Sequence, residues 1–377
     1  MVTLNDLGYV NRGRSKHRPR NAPELYGGQY PFVQTADIKH AGLYLNEYGQ
    51  TYSQKGLEQS RLWPAGTLCI TIAANIADTA ILGCDACFPD SVIGFIPDDK
   101  KCDVRYVKYL FDTQLQTALK QLSQGVAQDN LSKDKLLSIK FCVPDLPVQR
   151  RIADVLSAYD DLIENNRRRI AILEETARLA YRKWFGGAEQ GRTATLGVIA
   201  DVVMGQSPES KTYNDNGEGL PFHQGVTGFG FRYPQNEMWC TAGTRFAEEG
   251  DILFSVRAPV GRINVAGERI VIGRGLSAMR ARNNCQSWLL YTLKNHFSKE
   301  DLIGVGCIFA STTKKELLSV VLPFPPDAEI VAFEQIARPI DAQIKALSKQ
   351  SAALATARDM LLPRLMNNNL KENEDVY

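Results

Sequence analysis

The sequence predicts an α+β protein: two β-rich domains joined by two long helices that can pair antiparallel as a coiled coil, with an internal pseudo-two-fold repeat. Three observations predict it. A heptad seam of apolar residues runs from Ile152 to Trp184, a second runs from Phe333 to Leu365, and the segments ahead of the two seams match each other at a constant offset. A chain of 377 residues is longer than one hydrophobic core normally serves, and 44% apolar residues are enough to fill two.

In chain order, the first domain is expected over residues 1–144 and opens on a basic stretch, "NRGRSKHRPR". Arg12, Arg14, Lys16, Arg18 and Arg20 stand at every second position there, so on an extended segment they share one side. Such a row suits a phosphate backbone with its condensed counterions, and it equally suits a solvated arm. "GTLCITIA" and "SVIGFIP" are short, rich in Val and Ile, and bounded by turn residues, which is strand chemistry. A helical pattern follows in "RYVKYLFDTQLQTALKQL".

The first long helix is expected over 145–187, opened by Asp145 and Pro147 and closed by Gly186-Gly187. Stepping alternately by four and three from Ile152 gives Leu156, Tyr159, Ile163, Asn166, Ile170, Leu173, Ala177, Ala180 and Trp184, apolar at every position but Asn166. Charged residues such as Glu164, Arg167, Glu174 and Lys183 lie off this seam. A seam of that length calls for another helix packed along it, and a single polar position such as Asn166 can set register.

Residues 188–326 repeat the first domain, with strand chemistry in "DILFSV", "RINVAG" and "RIVIG" and a helical pattern in "SWLLYTLKNHF". The second helix is expected over 327–367, from Asp327 to "NNNL", with Phe333, Ala337, Ile340, Ile344, Leu347, Leu354, Leu361 and Leu365 on its seam and Ser351 and Arg358 breaking it. Pro339 and Pro363 predict a break or kink near each. The tail, 368–377, is polar and is expected to be disordered.

The repeat itself extends beyond the helices. Gly125 falls on Gly306, "KLLSI" on "ELLSV", and Asp160 on Asp341; with some drift, "YPFVQ" matches "LPFHQG" and "PAGTLCIT" matches "EEGDILFS". Each unit is thus a globular part followed by a long helix, a dimer made within one polypeptide. Dimeric DNA readers meet half-sites roughly 34 to 36 Å apart, and a helix from Asp160 to Gly187 spans on the order of 42 Å at about 1.5 Å per residue.

Bulk numbers exclude some classes. Net charge is only +2, so nucleic-acid binding cannot be argued from charge alone. No run approaches a membrane span, no secretory h-region opens the chain, and a cytoplasmic home is expected. The eight cysteines are scattered. Cys84 and Cys87 form a lone CxxC, half of what a structural zinc requires, and a turn with two small apolar residues explains it better, so no metal is expected.

"LPVQRRIADVLSAYDDLIENNRRRIAILEETARLAYRKWF" and "RDMLLPRLM" resemble the two central helices of the specificity subunits of Type I restriction-modification systems. "GQSPESKTYNDNGEGLPFHQG" and "DILFSVRAPVGRINVA" resemble one common type of their target recognition domain, and "YPFVQTADI" with "LSQGVAQDNLS" resembles it more loosely. The chain departs from the family pattern at Val148-Gln149-Arg150, where a Glu-Gln pair is frequent, and in its displaced Glu334-Gln335. The resemblance implies a non-catalytic subunit that binds double-stranded DNA, with each recognition domain reading half of a bipartite site. It implies two modification subunits docked on the helices, restriction subunits beyond them, and S-adenosylmethionine, ATP and Mg on those partners rather than on this chain, the methylated adenine being flipped from the stack.

The residues agree that the chain carries no chemistry of its own. Phe324-Pro325-Pro326-Asp327 is in the wrong order for an adenine methyltransferase, and no phosphate-binding glycine loop with Lys-Ser/Thr occurs. Two alternatives come from other classes. A magnesium-dependent endonuclease could use Asp90 with Asp99, Lys100 and Lys101, but no acidic cluster is duplicated along with the chain; a DNA-free coiled-coil scaffold would not need two full domains.

Direct readout takes Arg or Lys for guanine and Asn or Gln for adenine, with cations and hydroxyls on phosphates. In the second domain the candidates are Gln206, Ser207, Lys211, Tyr213, Gln224, Arg257, Arg262 and Arg274. Arg257 stands out because it interrupts "DILFSVRAPVG"; a strand-end arginine paired with Glu248 or Glu249 is the plainer explanation. In the first domain they are Arg12, Arg14, Lys16, Gln34, Thr35, Lys39 and Asn75. Gln128, Asn130, Lys133, Ser311, Thr312, Lys314 and Lys315 fall in matching loops before a helix start, where hydroxyls and amides favour phosphates and Ser132 or Thr313 could equally be plain helix caps.

Overall fold

The computed structural model describes residues 1–73, 76–115, 133–186, 191–300 and 311–371. Asn75, Gln128 and Asn130 lie outside them. The chain divides into two compact units, one of Met1–Asn166 with Gln350–Tyr377 and one of Arg167–Lys349. Each unit therefore takes one globular domain and a segment of both long helices.

The first unit is built on a five-stranded sheet in the order Gly8–Arg12, Val92–Pro97, Leu68–Thr71, Thr79–Leu82, Tyr44–Leu45. A four-stranded sheet, in the order Gln50–Tyr52, Tyr26–Phe32, Ala86–Cys87, Leu62–Trp63, packs with it. Leu68, Cys69, Ile70 and Thr71 are buried on both faces, which is why "GTLCITIA" reads as a continuous apolar run rather than an alternation. One side of the larger sheet is covered by the helix Val104–Leu110 and by helix segments carrying Ile152, Leu156, Leu361, Leu365 and Met366.

The second unit also has two sheets. Its four-stranded sheet runs Ala200–Met204, Leu276–Ala281, Ile252–Ser255, Ile263–Val265. Beside it lies a five-stranded sheet, Tyr213–Asn214, Trp239–Cys240, Leu220–His223, Ile270–Ile272, Phe246–Ala247. In both units a parallel pair sits within the second sheet, Phe32 opposite Cys87 in one and Phe222 opposite Val271 in the other. The helix Gln286–Glu300 supplies Trp288, Leu289, Tyr291 and Leu293 to a core shared with Ala177, Tyr181, Phe185, Phe333 and Ala337.

The long helices run from Leu146 to Phe185 and from Asp327 to Lys371. In the first unit Asn166 donates its Nδ2 to Gln350 Oε1 at 3.1 Å, Asp160 meets Arg358, and Ile152 shares a core with Leu365, so the two segments are antiparallel. Within the second unit the same order holds, with Ile170 against Ile344 and Leu347, and Ala177 in one core with Phe333 and Ala337. The seam position Asn166 is thus a hydrogen-bonded polar pair, and Arg358 is an ion pair. Leu156 is fully buried, so its truncation to Ala should cost about 2–5 kcal/mol. Tyr159, Ile163, Leu173, Ile340, Leu354 and Leu361 are half-buried.

Three expectations for the helices need correction. Trp184 sits at the edge of the seam: it is 41% exposed, with its ring 6.5 Å from that of Phe333 on the other helix, while Tyr181 and Phe185 are buried. In the last turns the first helix packs on the domain as well as on its partner helix, so the buried face steps by four, through Ala177, Tyr181 and Phe185, and leaves the heptad. Neither Pro339 nor Pro363 breaks the second helix, which continues through both; Ala337 and Ile344 are buried on either side of Pro339 and hold it by packing. The helix also continues through "NNNL" to Lys371.

Each long helix is tied to its domain by a side chain at a helix start. Gln149 Oε1 accepts the Asp103 N–H at 3.1 Å, and its Nε2 donates to the Pro144 carbonyl at 2.9 Å. Glu334 accepts the N–H groups of Ser287 and Trp288 at 3.4 and 2.9 Å. These are the positions where the sequence departs from the family pattern. Among the described residues no helix is long and apolar enough to cross a membrane.

Candidate nucleic-acid interface

In the second unit the strand Leu220–His223 runs directly into Gln224, and two chain segments flank that residue. Gly273 N–H donates to the His223 carbonyl at 2.8 Å and Gly275 N–H to the Gln224 carbonyl at 3.1 Å, while Gly205 N–H reaches the Leu276 carbonyl at 2.9 Å. Side chains would not fit here: a Cβ on Gly273 would lie 2.6 Å from Gln224 Oε1, and one on Gly205 would lie 2.2 Å from the Gly273 carbonyl. Ser207 Oγ accepts the Arg274 N–H at 3.2 Å and donates to Gln224 Oε1 at 2.8 Å. The structure thereby brings Gln206, Ser207, Gln224 and Arg274 together, with Gln206, Gln224 and Arg274 exposed.

Tyr213 stands close by. Its Oη donates to the Pro208 carbonyl at 2.8 Å and its ring stacks on Phe222 at 4.6 Å. Lys211 is occupied by an exposed ion pair with Glu209 at 2.5 Å. Behind Gln224, His223 is buried with Nε2 3.0 Å from Asn236 Oδ1, and burial lowers its pKa from the ordinary 6.5.

A second group forms at the turn between Ile252–Ser255 and Ile263–Val265. Arg257 is exposed, its backbone bridges Ser311, and Thr312 N–H donates to the Val256 carbonyl at 2.8 Å. Arg262 is exposed across the turn. The pairing of Arg257 with Glu248 or Glu249 is not found: Glu248 takes Arg269 at 3.2 Å and Glu249 takes Lys345. Both acids lie next to Asp251, at the other end of the strand from Arg257, which explains the difference. Lys314 and Lys315 are exposed at the start of the helix Lys314–Leu318, whose cap is Thr313, accepting Glu316 N–H at 3.3 Å. Sequence spacing alone left Arg257 far from Ser311 and Thr312, and the fold makes them neighbours.

The first unit treats its candidates less uniformly. Arg12 and Lys16 are exposed. The row of five cations on one side does not form: Arg14 donates to the Ser60 carbonyl, Arg18 to the Ser15 carbonyl at 2.8 Å, and Arg20 pairs with Asp90 at 3.0 Å. The strand ends at Arg12, so alternation cannot continue to Arg20. Gln34 precedes the helix Thr35–His40 and donates its Nε2 to Gln50 Oε1 at 2.6 Å; Thr35 begins that helix and Lys39 is exposed in its last turn. Lys133 donates to Asn11 Oδ1 at 3.3 Å.

That last hydrogen bond belongs to a group that sequence reasoning missed. Asn11 Nδ2 donates to Tyr9 Oη at 2.8 Å and Arg61 donates to the same oxygen at 2.7 Å, and these two bonds, the Asn11 one foremost, lower the Tyr9 pKa. The Arg61 guanidinium lies 4.9 Å from the Tyr9 ring centre and 4.2 Å from that of Trp63. Strand periodicity puts Tyr9 and Asn11 on one face, which was the available signal.

Inside each unit a tyrosine binds a carboxylate on a long helix, buried Asp160 in one and half-buried Asp341 in the other. Tyr109 Oη donates to Asp160, which also meets Arg358. Tyr291 Oη donates to Asp341 at 2.9 Å, and Arg232, 3% exposed, bridges Asp341 and Glu174, the latter at 2.7 Å. Burial opposes the Arg232 charge, but Asp341 and Glu174 outweigh it and raise its pKa. The acid and tyrosine repeat between units while the cation comes from a different place in each. Asp90 is held by Arg20, and among the described residues no group of three or more His, Cys, Asp or Glu could hold a metal ion.

Residues 1–175 match the family described as the Type I restriction modification DNA specificity domain. A Methanocaldococcus jannaschii protein named as the specificity subunit of the type I restriction enzyme MjaX is 28% identical over 297 residues, 73% of this chain and 70% of that one. The type I restriction enzyme MjaIX specificity subunit of the same organism is 24% identical, with 98% and 93% covered. Among solved structures, a Type-I restriction-modification system S subunit from M. genitalium shares the fold with a TM-score of 0.62 at 17% identity, covering 96% of this chain and 94% of that one.

Proposed function

The chain is a specificity subunit of a Type I restriction-modification system, and from that premise we propose that its two domains each read one half of a bipartite, asymmetric DNA site. The long helices set the unread spacer between the halves and dock two modification subunits, which bring S-adenosylmethionine and flip the target adenine. Restriction subunits complete the complex and bring ATP and Mg. This chain is its non-catalytic, sequence-specifying member. A stand-alone endonuclease and a DNA-free scaffold are not favoured.

One observation carries the reading. A similar four-strand order in each sheet, with one added edge strand, the same tyrosine–carboxylate tie and the same helix pairing occur once in each unit, around different exposed side chains. A duplicated frame with unlike surfaces is what an asymmetric two-part site requires, because phosphate contacts position a reader and base-edge contacts specify it. The test is co-expression with the cognate modification subunit followed by mapping of methylated adenines. The expected result is one split motif, with an undefined spacer, that disappears without this chain. Methylation at a continuous motif, or none that depends on the chain, would overturn the reading.

A further inference from the structure

Resting on the reading of the second domain as a base reader, we propose that Gln224 and Arg274 form a hydrogen-bond-donating edge that selects a guanine in the half-site of that domain, with Ser207 as the positioning residue. The supply of hydrogens decides this. A serine hydroxyl has one hydrogen. Ser207 Oγ already accepts the Arg274 N–H at 3.2 Å and spends its hydrogen on Gln224 Oε1 at 2.8 Å. With its oxygen held this way, Gln224 presents Nε2, a donor only, to solvent. Beside it Arg274 is exposed, and arginine has donors and no acceptor.

Adenine is read by a glutamine that offers a donor and an acceptor together, to N7 and N6. With its oxygen turned onto Ser207 and lying over Gly273, this glutamine does not offer both groups side by side to one base edge. Guanine offers N7 and O6, both acceptors, on its major-groove edge, and suits the edge seen here. The backbone makes the presentation rigid: Gly273 and Gly275 donate to the carbonyls of His223 and Gln224, and no larger residue fits at Gly273. By contrast, Gln34, which the sequence repeat aligns with Gln224, donates its Nε2 to Gln50 Oε1 at 2.6 Å, so the matching positions are held through different atoms.

The test uses the full chain with its modification subunits and the methylated motif mapped as above. Gln224→Ala and Arg274→Ala should each relax one guanine of the second half-site, losing on the order of ten- to hundredfold discrimination, the range of one good side-chain pair to a base edge, and leaving the first half-site intact. Replacing that guanine by 7-deazaguanine should weaken binding by the wild-type chain and have little further effect on the variants. Ser207→Ala should free the amide to turn, letting adenine compete at the same position. Relaxation at an adenine or thymine, or equal losses on specific and random DNA, would overturn the inference while leaving the split motif standing. Absence of any split motif in the wild type would instead remove the underlying reading.

Discussion

At the residue scale the candidates separate by what already occupies them. Lys211 and Arg20 carry ion-pair partners at the surface, whereas Lys314 and Lys315 stand exposed at a helix start beside the turn that holds Arg257. Substituting Lys314 and Lys315 by Ala should weaken binding to every DNA sequence and reduce the slope of affinity against salt by about one for each phosphate left without its cation. Arg257→Ala should mainly relax one base, and fluorescence anisotropy on specific and random duplexes over a salt series separates the two outcomes. Equal losses on both duplexes would remove Arg257 from the base readers. His223 makes a different prediction. Burial holds its pKa below 6.5, so the unfolded chain takes up a proton as pH falls below about 6.5 while the folded unit stays neutral. Its contribution to stability is therefore complete above that pH and declines below it. His223→Gln should flatten the fall in melting temperature between roughly pH 6.5 and 5, as followed by calorimetry.

At the element scale, each long helix is attached to its domain by buried polar groups as well as by its seam. Arg232 lies in a region of irregular chain, yet it is more buried than either acid it joins. Arg232→Met should leave Asp341 without its cation, while Glu174 keeps Lys294, and cost roughly 3–5 kcal/mol, the usual result of removing one partner of a buried pair. Replacing Arg232 and Asp341 together by apolar residues should recover most of that loss, because desolvation of the ions is removed along with their attraction. Urea unfolding of the wild type and the two variants measures both numbers. If the single and double variants were equally destabilised, the pair would act through shape rather than charge. The same physics explains Arg358, an apparent fault in the second seam that proves to be the cation for Asp160.

At the scale of the whole molecule, the proposed function assigns the spacing to the helices. Removing one heptad from each, residues 167–173 and 343–349, keeps the acid positions Glu174 and Asp341 and shortens each helix by roughly 10 Å. Methylome mapping of the shortened protein should show a changed spacer and unchanged half-sites. Changed half-sites with an unchanged spacer would contradict the role of the helices.

Local patterning was enough for the mixed α+β class, the helical period of both long segments and the short strands. All of these are written in short or regularly repeating stretches, and a period of 3.5 or 2 needs no knowledge of what lies across the core. Which candidates stand together emerged from the folded chain. Ser207, Gln224 and Arg274 are joined by bonds spanning 17 and 67 residues of chain, and Arg257 meets Ser311, 54 residues further along. Folding likewise left Trp184 partly exposed beside Phe333 and gave Arg14, Arg18 and Arg20 to two carbonyls and a carboxylate. Such outcomes depend on which surface arrives from a distant part of the chain to bury a face or satisfy a donor, and no local pattern records that.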